Sequence, residues 1–316
     1  MNPKIFSEWI SRQGYIVYKT ESSYWYNQGF KALQAFPYHW QINPDVKELD
    51  DLLKHAKALT LRYSTPVTSC EGKISYHAYL EAESYNIDML GKWARKNVRR
   101  GMKNCEVRKI SFEQLAKEGY ELQINTLSRQ GRKLNLMKEE WQTRCLAASD
   151  LPGFDAWGAL IEGKLTASVI TFQMNDCGYM LYQQCHCDYL GKHVNNALSF
   201  IVTSELLARS EINSILYGLH SLDAPSSVDK FKFRMGYSAQ PVRQRVVFNP
   251  KVEPFFNNFT HVGLKAAHGI LSGNPALAKA EGMLRFYLQG KRPLAEQDWP
   301  EALLKQKDAI LAQISK

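Results

Sequence analysis

The sequence predicts an α/β (α+β) fold in which helices flank a mixed sheet, and two observations support that prediction. First, residues 156–248 follow the order hairpin, strand, helix, strand, helix, strand. Second, a helical pattern at 193–210 joins strand-like residues 179–187 to a buried strand at 213–219. Such a crossover helix places its two strands parallel, whereas hairpins place theirs antiparallel. The sheet is therefore expected to be mixed.

The segments before this region supply further strands and helices. Aromatic, strand-like residues fill 15–42, a helical spacing follows at 44–58, and residues 59–65 alternate as a strand. From Asn86 to about Asn104 the spacing is helical and the charge is strongly positive. A strand and two more helices are expected between this basic helix and the hairpins.

A short helix and a final strand close the region. Asp223, Pro225 and Ser226 are typical of a helix start, and Asp229 adds an acid to the first turn. Gly236 suits the position just past the helix end, where the backbone turns left-handed. The residues that follow alternate and are rich in β-branched side chains, which predicts a strand.

Three parts are predicted along the chain, and a shift of composition marks the last of them. Residues 1–90 form an N-terminal lobe of strands and helix, and residues 91–250 form the main domain. After Pro250 the composition shifts to Ala, Leu and Lys at helical spacing, so residues 251–316 are expected to be a helical extension. These last helices either pack onto the domain or lie on a membrane surface as an amphipathic element.

Charge and cysteine content indicate the class of partner and the compartment. The 40 Lys and Arg against 31 Asp and Glu give a net charge of +9, which favours nucleic acid, phosphorylated metabolites or a membrane face. The 6 sparse, irregularly spaced cysteines are typical of reduced thiols. Glu8 and Arg12 interrupt any apolar N-terminal run, and no apolar stretch approaches a membrane span. We therefore expect a cytoplasmic protein without a transmembrane segment.

Three short motifs within residues 157–237 narrow the fold. An Asp-x-x-Gly stretch runs from Asp188 to Gly191 ahead of a helix, and Gly218 ends the next strand. The third motif is an aromatic–Lys pair followed by a basic residue and a glycine, here Phe231-Lys232, Arg234 and Gly236. With the Arg-rich helix upstream, these motifs make roughly half of the chain resemble the GNAT acyltransferase superfamily. More narrowly, it is similar to the FemAB-like branch, which includes the enzymes that build peptidoglycan interpeptide bridges.

The resemblance implies both a fold and a reaction. The fold is a GNAT-like mixed sheet flanked by helices, with the N-terminal lobe a candidate second, degenerate GNAT-like half. The reaction moves an acyl or aminoacyl group from acyl-CoA or aminoacyl-tRNA to an amine and requires no metal. The implied partners are an anionic acyl donor, an amine-bearing acceptor and a tRNA or lipid-linked precursor. The identity of the acceptor and the oligomeric state stay open.

The donor site that the resemblance implies is the helix N-terminus at 190–195. Free N–H groups and the helix dipole at such an end attract phosphate. Asp188 departs from ordinary GNAT members, which carry Gln or Arg there, and it would repel a diphosphate. This departure favours aminoacyl-tRNA over CoA, unless Asp188 merely caps the helix and the loop is a connector. The predicted cofactor-binding residues are Leu190, Gly191, Lys192, His193, Val194 and Asn195.

The catalytic candidates are one lysine and two histidines. The resemblance implies that Lys232 holds its ammonium near the transfer centre, where it stabilises a phosphate or the developing oxyanion. The alternative is a solvated helix face of Lys230, Lys232 and Arg234, but a spacing of two does not place all three on one side. His186 and His220 follow strand ends, where ligands of open α/β sheets bind, and a histidine suits deprotonation of an amine.

The strongest charge pattern is a cationic helix face. Cations without acidic partners repel one another unless an anion is present. The face is formed by Lys92, Lys96, Arg99, Arg100 and Lys103. It predicts a phosphate-rich ligand, such as a tRNA acceptor stem, a nucleotide-linked sugar or an anionic lipid head, and the alternative is a solvated face. The predicted anion-binding residues are Lys96, Arg99, Arg100, Lys103 and Arg234.

A metal site and a non-enzymatic role are the remaining alternatives. Cys185, Cys187 and His193 are zinc-ligand types, with both cysteines expected on one strand face, but no second Cys or His pair has ligand spacing. We therefore predict no metal. The alternative to an acyltransferase is a catalytically silent GNAT-like module that binds a phosphate-bearing ligand or nucleic acid through residues 92–103.

Overall fold

The computed structural model describes residues 2–29, 31–131, 137–222, 226–271 and 274–314, except the side chains of 226–228. Asp223 and Pro225 of the predicted helix start lie outside these residues. The strands are β1 (Val17–Lys19), β2 (Tyr24–Asn27), β3 (Ala32–Phe36), β4 (Thr60–Thr65), β5 (Lys73–Glu81), β6 (Glu106–Ile110), β7 (Phe154–Ile161), β8 (Lys164–Met174), β9 (Cys177–Cys185), β10 (Ser214–Leu219) and β11 (Ser238–Phe248). The α-helices are α1 (Pro3–Arg12), α2 (Val46–His55), α3 (Lys92–Asn104), α4 (Phe112–Arg129), α5 (Lys138–Leu146), α6 (Val194–Leu207), α7 (Ser226–Arg234), α8 (Asn258–Ile270), α9 (Pro275–Gly290) and α10 (Lys307–Ile314).

The chain divides into two compact units. Unit 1 comprises Met1–Gly14, Ala78–Gly218 and Pro225–Ser238; unit 2 comprises Tyr15–His77, Leu219–Ala224 and Ala239–Lys316. Strand β5 contributes residues to both. The predicted boundary near residue 250 follows a shift of composition and the one near residue 90 follows the start of the family resemblance, whereas the units group residues by contact. The three-part division therefore stays a prediction.

Unit 1 contains a mixed sheet flanked by helices, as predicted. Its strands lie in the order β10-β9-β8-β7-β6. β9 and β10 pair in parallel, with Ser214 opposite Cys177, and the other neighbouring strands pair antiparallel. Helix α6 connects β9 to β10 and is the predicted crossover. β7 and β8 are joined through Glu162 and Gly163, whose φ angles of 50° and 78° suit a two-residue hairpin turn.

The core of unit 1 lies between this sheet and the helices α3 and α6. Val98 of α3 and Leu198 of α6 are fully buried in one cluster with Val169 of β8 and Met180 of β9. Burying side chains of this size stabilises the fold by roughly 2 kcal/mol each. The position of α3 and α6 relative to the strand ends is thereby fixed, and that position matters for the site.

Helix α1 was not predicted from the sequence. The Asn2 side chain caps it by accepting from the backbone N–H of Lys4 at 3.0 Å. Phe6 and Trp9 are buried, and the Trp9 ring lies 5.1 Å from that of Phe154. The helix thus covers aromatic side chains of the sheet that would otherwise be exposed.

Unit 2 has a mixed sheet of its own. Its strands lie in the order β1-β2-β3-β4-β11, with β3 and β4 parallel and the other pairs antiparallel. Leu49 and Leu53 bury one face of α2 in a cluster with Trp25 and Leu61. Helix α9 packs against β11 within a second apolar cluster. Among the described residues, no helix has both the length and the apolar character needed to cross a membrane.

Candidate active site

The candidate site forms where β9 and β10 stop pairing. Their register ends with Leu216 opposite Tyr179, although both strands continue beyond these residues. β9 also carries a bulge, because Tyr182 has a φ of 44° and the register with β8 shifts between Ser168 and Ile170. A bulge bends and twists the strand that carries it. Parallel strands whose carboxyl ends separate leave an opening, which is the usual ligand position in an α/β sheet.

Hydrogen-bonded side chains bridge this opening. The Tyr217 hydroxyl donates to Gln183 Oε1, and Gln183 Nε2 donates to Asn195 Oδ1 at 2.7 Å. Asn195 lies in the first turn of α6. Burial raises the pKa of Tyr217, so its hydroxyl is protonated and remains a donor at neutral pH. These bonds connect β9, β10 and the start of α6.

Lys232 lies beside Gly218 at the end of β10. Its side chain is 10% exposed, and its Nζ donates to Asp229 Oδ1 at 2.8 Å. The ammonium also lies 5.4 Å from the centroid of the Tyr217 ring. Gly218 has a φ of 149°, and a Cβ there would lie 3.7 Å from Lys232 Nζ. A buried ammonium needs such partners, because an unpaired charge is costly to remove from water.

Local structure explains why Lys232 points inward. Asp229 and Lys232 are three residues apart, which places them on the same face of α7. Gly236, with a φ of 88°, ends the helix as predicted, and Tyr237 just beyond it is buried. Arg234 is exposed. Lys232 is therefore not part of a solvated face, while its catalytic role and the anion-binding role of Arg234 stay predictions.

The predicted donor loop, which comprises residues 187–193, leads directly into α6. Residues 187–192 form a 3-10 helix, His193 has a left-handed φ of 60°, and α6 begins at Val194. Within the described part of the chain, the His193 side chain makes no cap hydrogen bond to α6, so it does not occupy the first N–H groups of the helix. Gly191 is exposed, and a Cβ there would meet no atom of the described residues within 4 Å. The packing of the protein itself therefore does not require a glycine at this position.

The basic helix α3 packs against the same loop. A Cβ on Gly101 would lie 2.3 Å from the His193 carbonyl oxygen, so the two backbones approach closely only because this residue is glycine. Asn104 Nδ2 donates to the carbonyl of Lys192 at 3.0 Å. Burial and the charge of Arg100 lower the pKa of His193. The structure thus brings the predicted donor loop and the predicted anion-binding helix together.

The outer face of α3 is cationic. Ala94 and Val98 are buried on the opposite face, and Arg95 pairs with Asp88 at 3.3 Å. The other cations are exposed and form no ion pair with any residue that the structure describes: Lys92, Lys96, Arg99, Arg100 and Lys103. This face matches the predicted one. Its anion-binding role stays a prediction.

His186 lies directly after β9, near two carboxylates. Its Nδ1 is 3.6 Å from Asp188 Oδ2, and its Nε2 is 3.8 Å from Glu121 Oε1. Asp188 belongs to the 3-10 turn before α6 and is 72% exposed, so it is not the cap of α6. His186, Cys187 and Asp188 offer three ligand atoms within 4.8 Å of one another. The expectation that Cys185 and Cys187 share a strand face is wrong, because β9 ends at the buried Cys185 and Cys187 begins the exposed turn.

His220 belongs to unit 2, whereas His186 and Lys232 belong to unit 1. The His220 ring stacks on Tyr76 with 4.4 Å between centroids, and its Nδ1 lies 3.1 Å from Ser75 Oγ. These contacts orient the imidazole within unit 2. A role for His220 or His186 as general base stays a prediction.

Sequence reasoning missed three features of this site. Asp229 was recognised only as an acid at a helix start, although its spacing of three from Lys232 was a usable signal for an ion pair. Gln183 and Tyr217 gave no signal, because they meet only through the bulge at Tyr182 and the separation of two strands. The bulge and the separation of the strands are tertiary features, which a local sequence pattern does not predict.

Comparison with known structures supports the fold. FemX is similar with a TM-score of 0.54 and 8% identity, over 79% of this chain and 92% of FemX. L-PGS from Bacillus licheniformis has a TM-score of 0.51 and 11% identity, over 78% of this chain and 92% of that chain. A C-terminal DUF2156 domain from Agrobacterium fabrum has a TM-score of 0.50 and 11% identity, over 77% and 87% of the two chains.

These likenesses show a GNAT/FemAB-like fold, which confirms the predicted resemblance at the level of the fold. No protein-family model and no curated protein matches the chain. At 8% and 11% identity, the likeness to FemX and L-PGS shows the fold alone.

Proposed function

We propose that this protein is an N-acyltransferase that moves an acyl or aminoacyl group from a phosphate-bearing donor to an amine. The observation that carries the proposal is the buried Lys232 ammonium, which Asp229 holds beside the opening between β9 and β10. A charge that is desolvated, paired and directed at a strand opening is typical of a functional site. The kind of reaction known for the structural neighbours supports the same conclusion.

In the proposed reaction, the lone pair of the acceptor amine attacks the donor carbonyl carbon, and the carbonyl oxygen takes up negative charge. Lys232 stabilises this oxyanion, because a positive charge has its largest effect in a water-poor site. The bond to the ribose oxygen of tRNA, or to the sulfur of CoA, then breaks, and the leaving group departs with the electron pair. The attacking amine loses a proton, for which His186 of unit 1 is the candidate acceptor.

Aminoacyl-tRNA is the donor that the charge distribution favours. From Lys92 to Lys103 the helix α3 rises about 16 Å, which is longer than a single diphosphate. A nucleic-acid backbone presents phosphates repeatedly over such a distance. The exposed carboxylate of Asp188 adds negative charge near the donor loop, where a CoA diphosphate would be repelled.

Ligand-dependent thermal stabilisation tests the donor. We expect Tm to rise with aminoacylated tRNA, and the rise to fade steeply between low and physiological salt, because phosphate contacts release counterions. The variant Arg99→Gln/Arg100→Gln/Lys103→Gln should lose most of the rise. A matched control, Lys117→Gln/Lys138→Gln/Lys305→Gln, removes the same amount of positive charge from exposed positions elsewhere. This control should keep the rise in Tm. A shift with acetyl-CoA or CoA instead would favour CoA, and no shift with any of them would contradict both donors.

The second candidate is a silent module that binds a phosphate-bearing ligand through α3. The exposed cations of α3 favour it as much as they favour an enzyme, whereas the buried Lys232 does not. Replacing Lys232 separates the two functions, since an enzyme loses turnover while a binding module keeps its affinity and has no turnover to lose.

A further inference from the structure

Helix α8 presents an apolar face to solvent. Phe259, Val262 and Ile270 are 86%, 67% and 82% exposed, and Ala266 between them is exposed as well. These four residues are spaced by three, four and four positions, so they form one stripe along the helix. Single exposed apolar residues are ordinary, but a continuous stripe of them indicates an interaction surface.

The stripe belongs to a well-formed helix. The Asn257 side chain caps α8 by accepting from the backbone N–H groups of Phe259 and Thr260 at 2.9 and 3.1 Å. On the opposite side of α8, Leu264 packs against an apolar cluster of unit 2, and His261 Nε2 lies 2.9 Å from Glu281 Oε1 on α9. These contacts fix the rotation of α8, so the stripe is directed away from α9.

The charge that α8 itself carries is cationic. α8 contains no acidic residue, Lys265 flanks the stripe, and Lys251 shortly before the helix is exposed as well. The acids Glu253 and Glu281 on neighbouring elements are each bound in ion pairs. Apolar side chains next to lysines complement a surface whose interior is apolar and whose outer layer is anionic, as in a bilayer of acidic phospholipids.

The size of the face favours a bilayer over a second copy of the chain. The 13 residues of α8 span about 20 Å, and a helix is about 10 Å wide. Even with Phe255 and Leu271, which are 69% and 56% exposed at its two ends, this face is smaller than the roughly 800 Å² per partner of a stable dimer. A bilayer requires only that the apolar side chains enter its boundary by about 5–10 Å.

We propose that α8 binds the surface of an anionic phospholipid bilayer. The stripe enters the boundary between head groups and acyl chains, while Lys265 and Lys251 lie at the level of the phosphates. This inference does not rest on the proposed transferase function, because none of these residues takes part in it.

Co-sedimentation with lipid vesicles tests the proposal. The whole chain should bind vesicles of equal parts phosphatidylcholine and phosphatidylglycerol, and bind vesicles of phosphatidylcholine alone more weakly. Phe259→Ser/Ile270→Ser should lower the partition coefficient at least about tenfold. The matched control Ile16→Ser/Val46→Ser changes two apolar residues of unit 2 that are 66% and 73% exposed, and it should bind as the wild type does.

The four substituted positions of the two double variants are exposed, so both variants should keep the wild-type Tm. Circular dichroism verifies this. Equal binding by Phe259→Ser/Ile270→Ser and the wild type would overturn the proposal, as would the absence of wild-type binding to either vesicle. Size-exclusion chromatography with light scattering tests whether a second copy of the chain covers the stripe instead. A dimer that this double variant converts to a monomer, without vesicle binding, would assign the stripe to a second copy and overturn the bilayer.

Discussion

Unit 1 uses positive charge in two contrasting ways. On α3, five exposed cations form no ion pairs with described residues, whereas on α7 the single ammonium of Lys232 is buried and paired with Asp229. Exposed charges attract an anion over a distance and are screened by salt. A buried ammonium acts only on an atom that reaches it, and there it is screened little. We infer that α3 supplies affinity for the donor and that Lys232 supplies rate.

Removing the buried ammonium should have the largest effect. Lys232→Met replaces the charged side chain with an uncharged one, and we expect turnover to fall about 100- to 1000-fold, the usual effect of one lost oxyanion donor. The measurement is transfer of a labelled aminoacyl group from tRNA to a mixture of amines. Lys230→Met, at an exposed position on the same helix, is the control and should stay active. An equal loss in both variants would contradict the role of Lys232.

A second variant separates a loss of turnover from a loss of stability. Lys232→Met removes the ammonium that pairs with the buried Asp229 carboxylate, which itself lowers stability. Lys232→Met/Asp229→Asn removes the charge of that carboxylate as well, and we expect it to recover Tm without recovering turnover. Recovery of turnover together with Tm would mean that Lys232 is structural.

Lys73, a buried lysine in unit 2, sharpens the comparison, because it forms no ion pair with a carboxylate among the residues that the structure describes. Lys73 is 3% exposed, and its Nζ donates to the backbone carbonyl of Asp298. Burial, followed by the charge of Arg285, lowers the pKa of Lys73 from 10.5 to about 8. Between these pH values the unfolded chain binds a proton that the folded chain does not, so the free energy of unfolding rises with pH, by about 3 kcal/mol in full.

Urea unfolding from pH 7 to pH 10 measures this effect as a difference between the wild type and Lys73→Met. The substitution should raise stability at pH 7, where the folded chain holds the buried charge, and the advantage should shrink as pH increases. A difference that does not change with pH would contradict the predicted titration of Lys73.

The junction of α3 with the donor loop provides a test of smaller size. Gly101→Ala places a methyl group 2.3 Å from the His193 carbonyl oxygen, and we expect a loss of about 2 kcal/mol in the free energy of unfolding, together with weaker donor binding. Gly263→Ala on α8 is the control, because its new methyl group lies more than 4 Å from the other described residues; a helical alanine there should stabilise by up to about 1 kcal/mol. Equal stability changes in the two variants would contradict the close approach.

The smallest expected effect is on the titration of His193. Burial and Arg100 lower its pKa, so a phosphate bound nearby should raise the pKa, since an anion favours the charged imidazolium. An NMR titration with and without pyrophosphate measures the change. Arg100→Gln should raise the pKa of His193 even without pyrophosphate. A pKa of His193 that neither pyrophosphate nor Arg100→Gln changes would place the anion elsewhere.

Much of the fold follows from local pattern. The order of strands and helices from 156 to 248 is carried by periodicity and by Gly236, and the crossover helix α6 sufficed to predict that β9 and β10 are parallel. Strand β5 was not predicted, although residues 73–78 alternate between polar and apolar; the strand is nevertheless buried on both faces, so its polar side chains do not mark a solvent-exposed face.

The site was only partly predictable. Lys232 and the α3 cations are visible in the sequence because their types and spacings are unusual there. The opening beside Lys232 is not, since it depends on the bulge at Tyr182 and on the Gln183–Tyr217 bond between two strands. The close approach at Gly101 likewise appears only when α3 and α6 are packed together.

The most direct test measures donor affinity and single-turnover rate together for Lys232→Met and Arg100→Gln. We predict opposite patterns: Lys232→Met keeps the affinity for aminoacyl-tRNA and loses the rate, whereas Arg100→Gln weakens affinity in a salt-dependent way and keeps the rate at saturating donor. Parallel losses of affinity and rate in both variants would contradict a division of labour between α3 and Lys232.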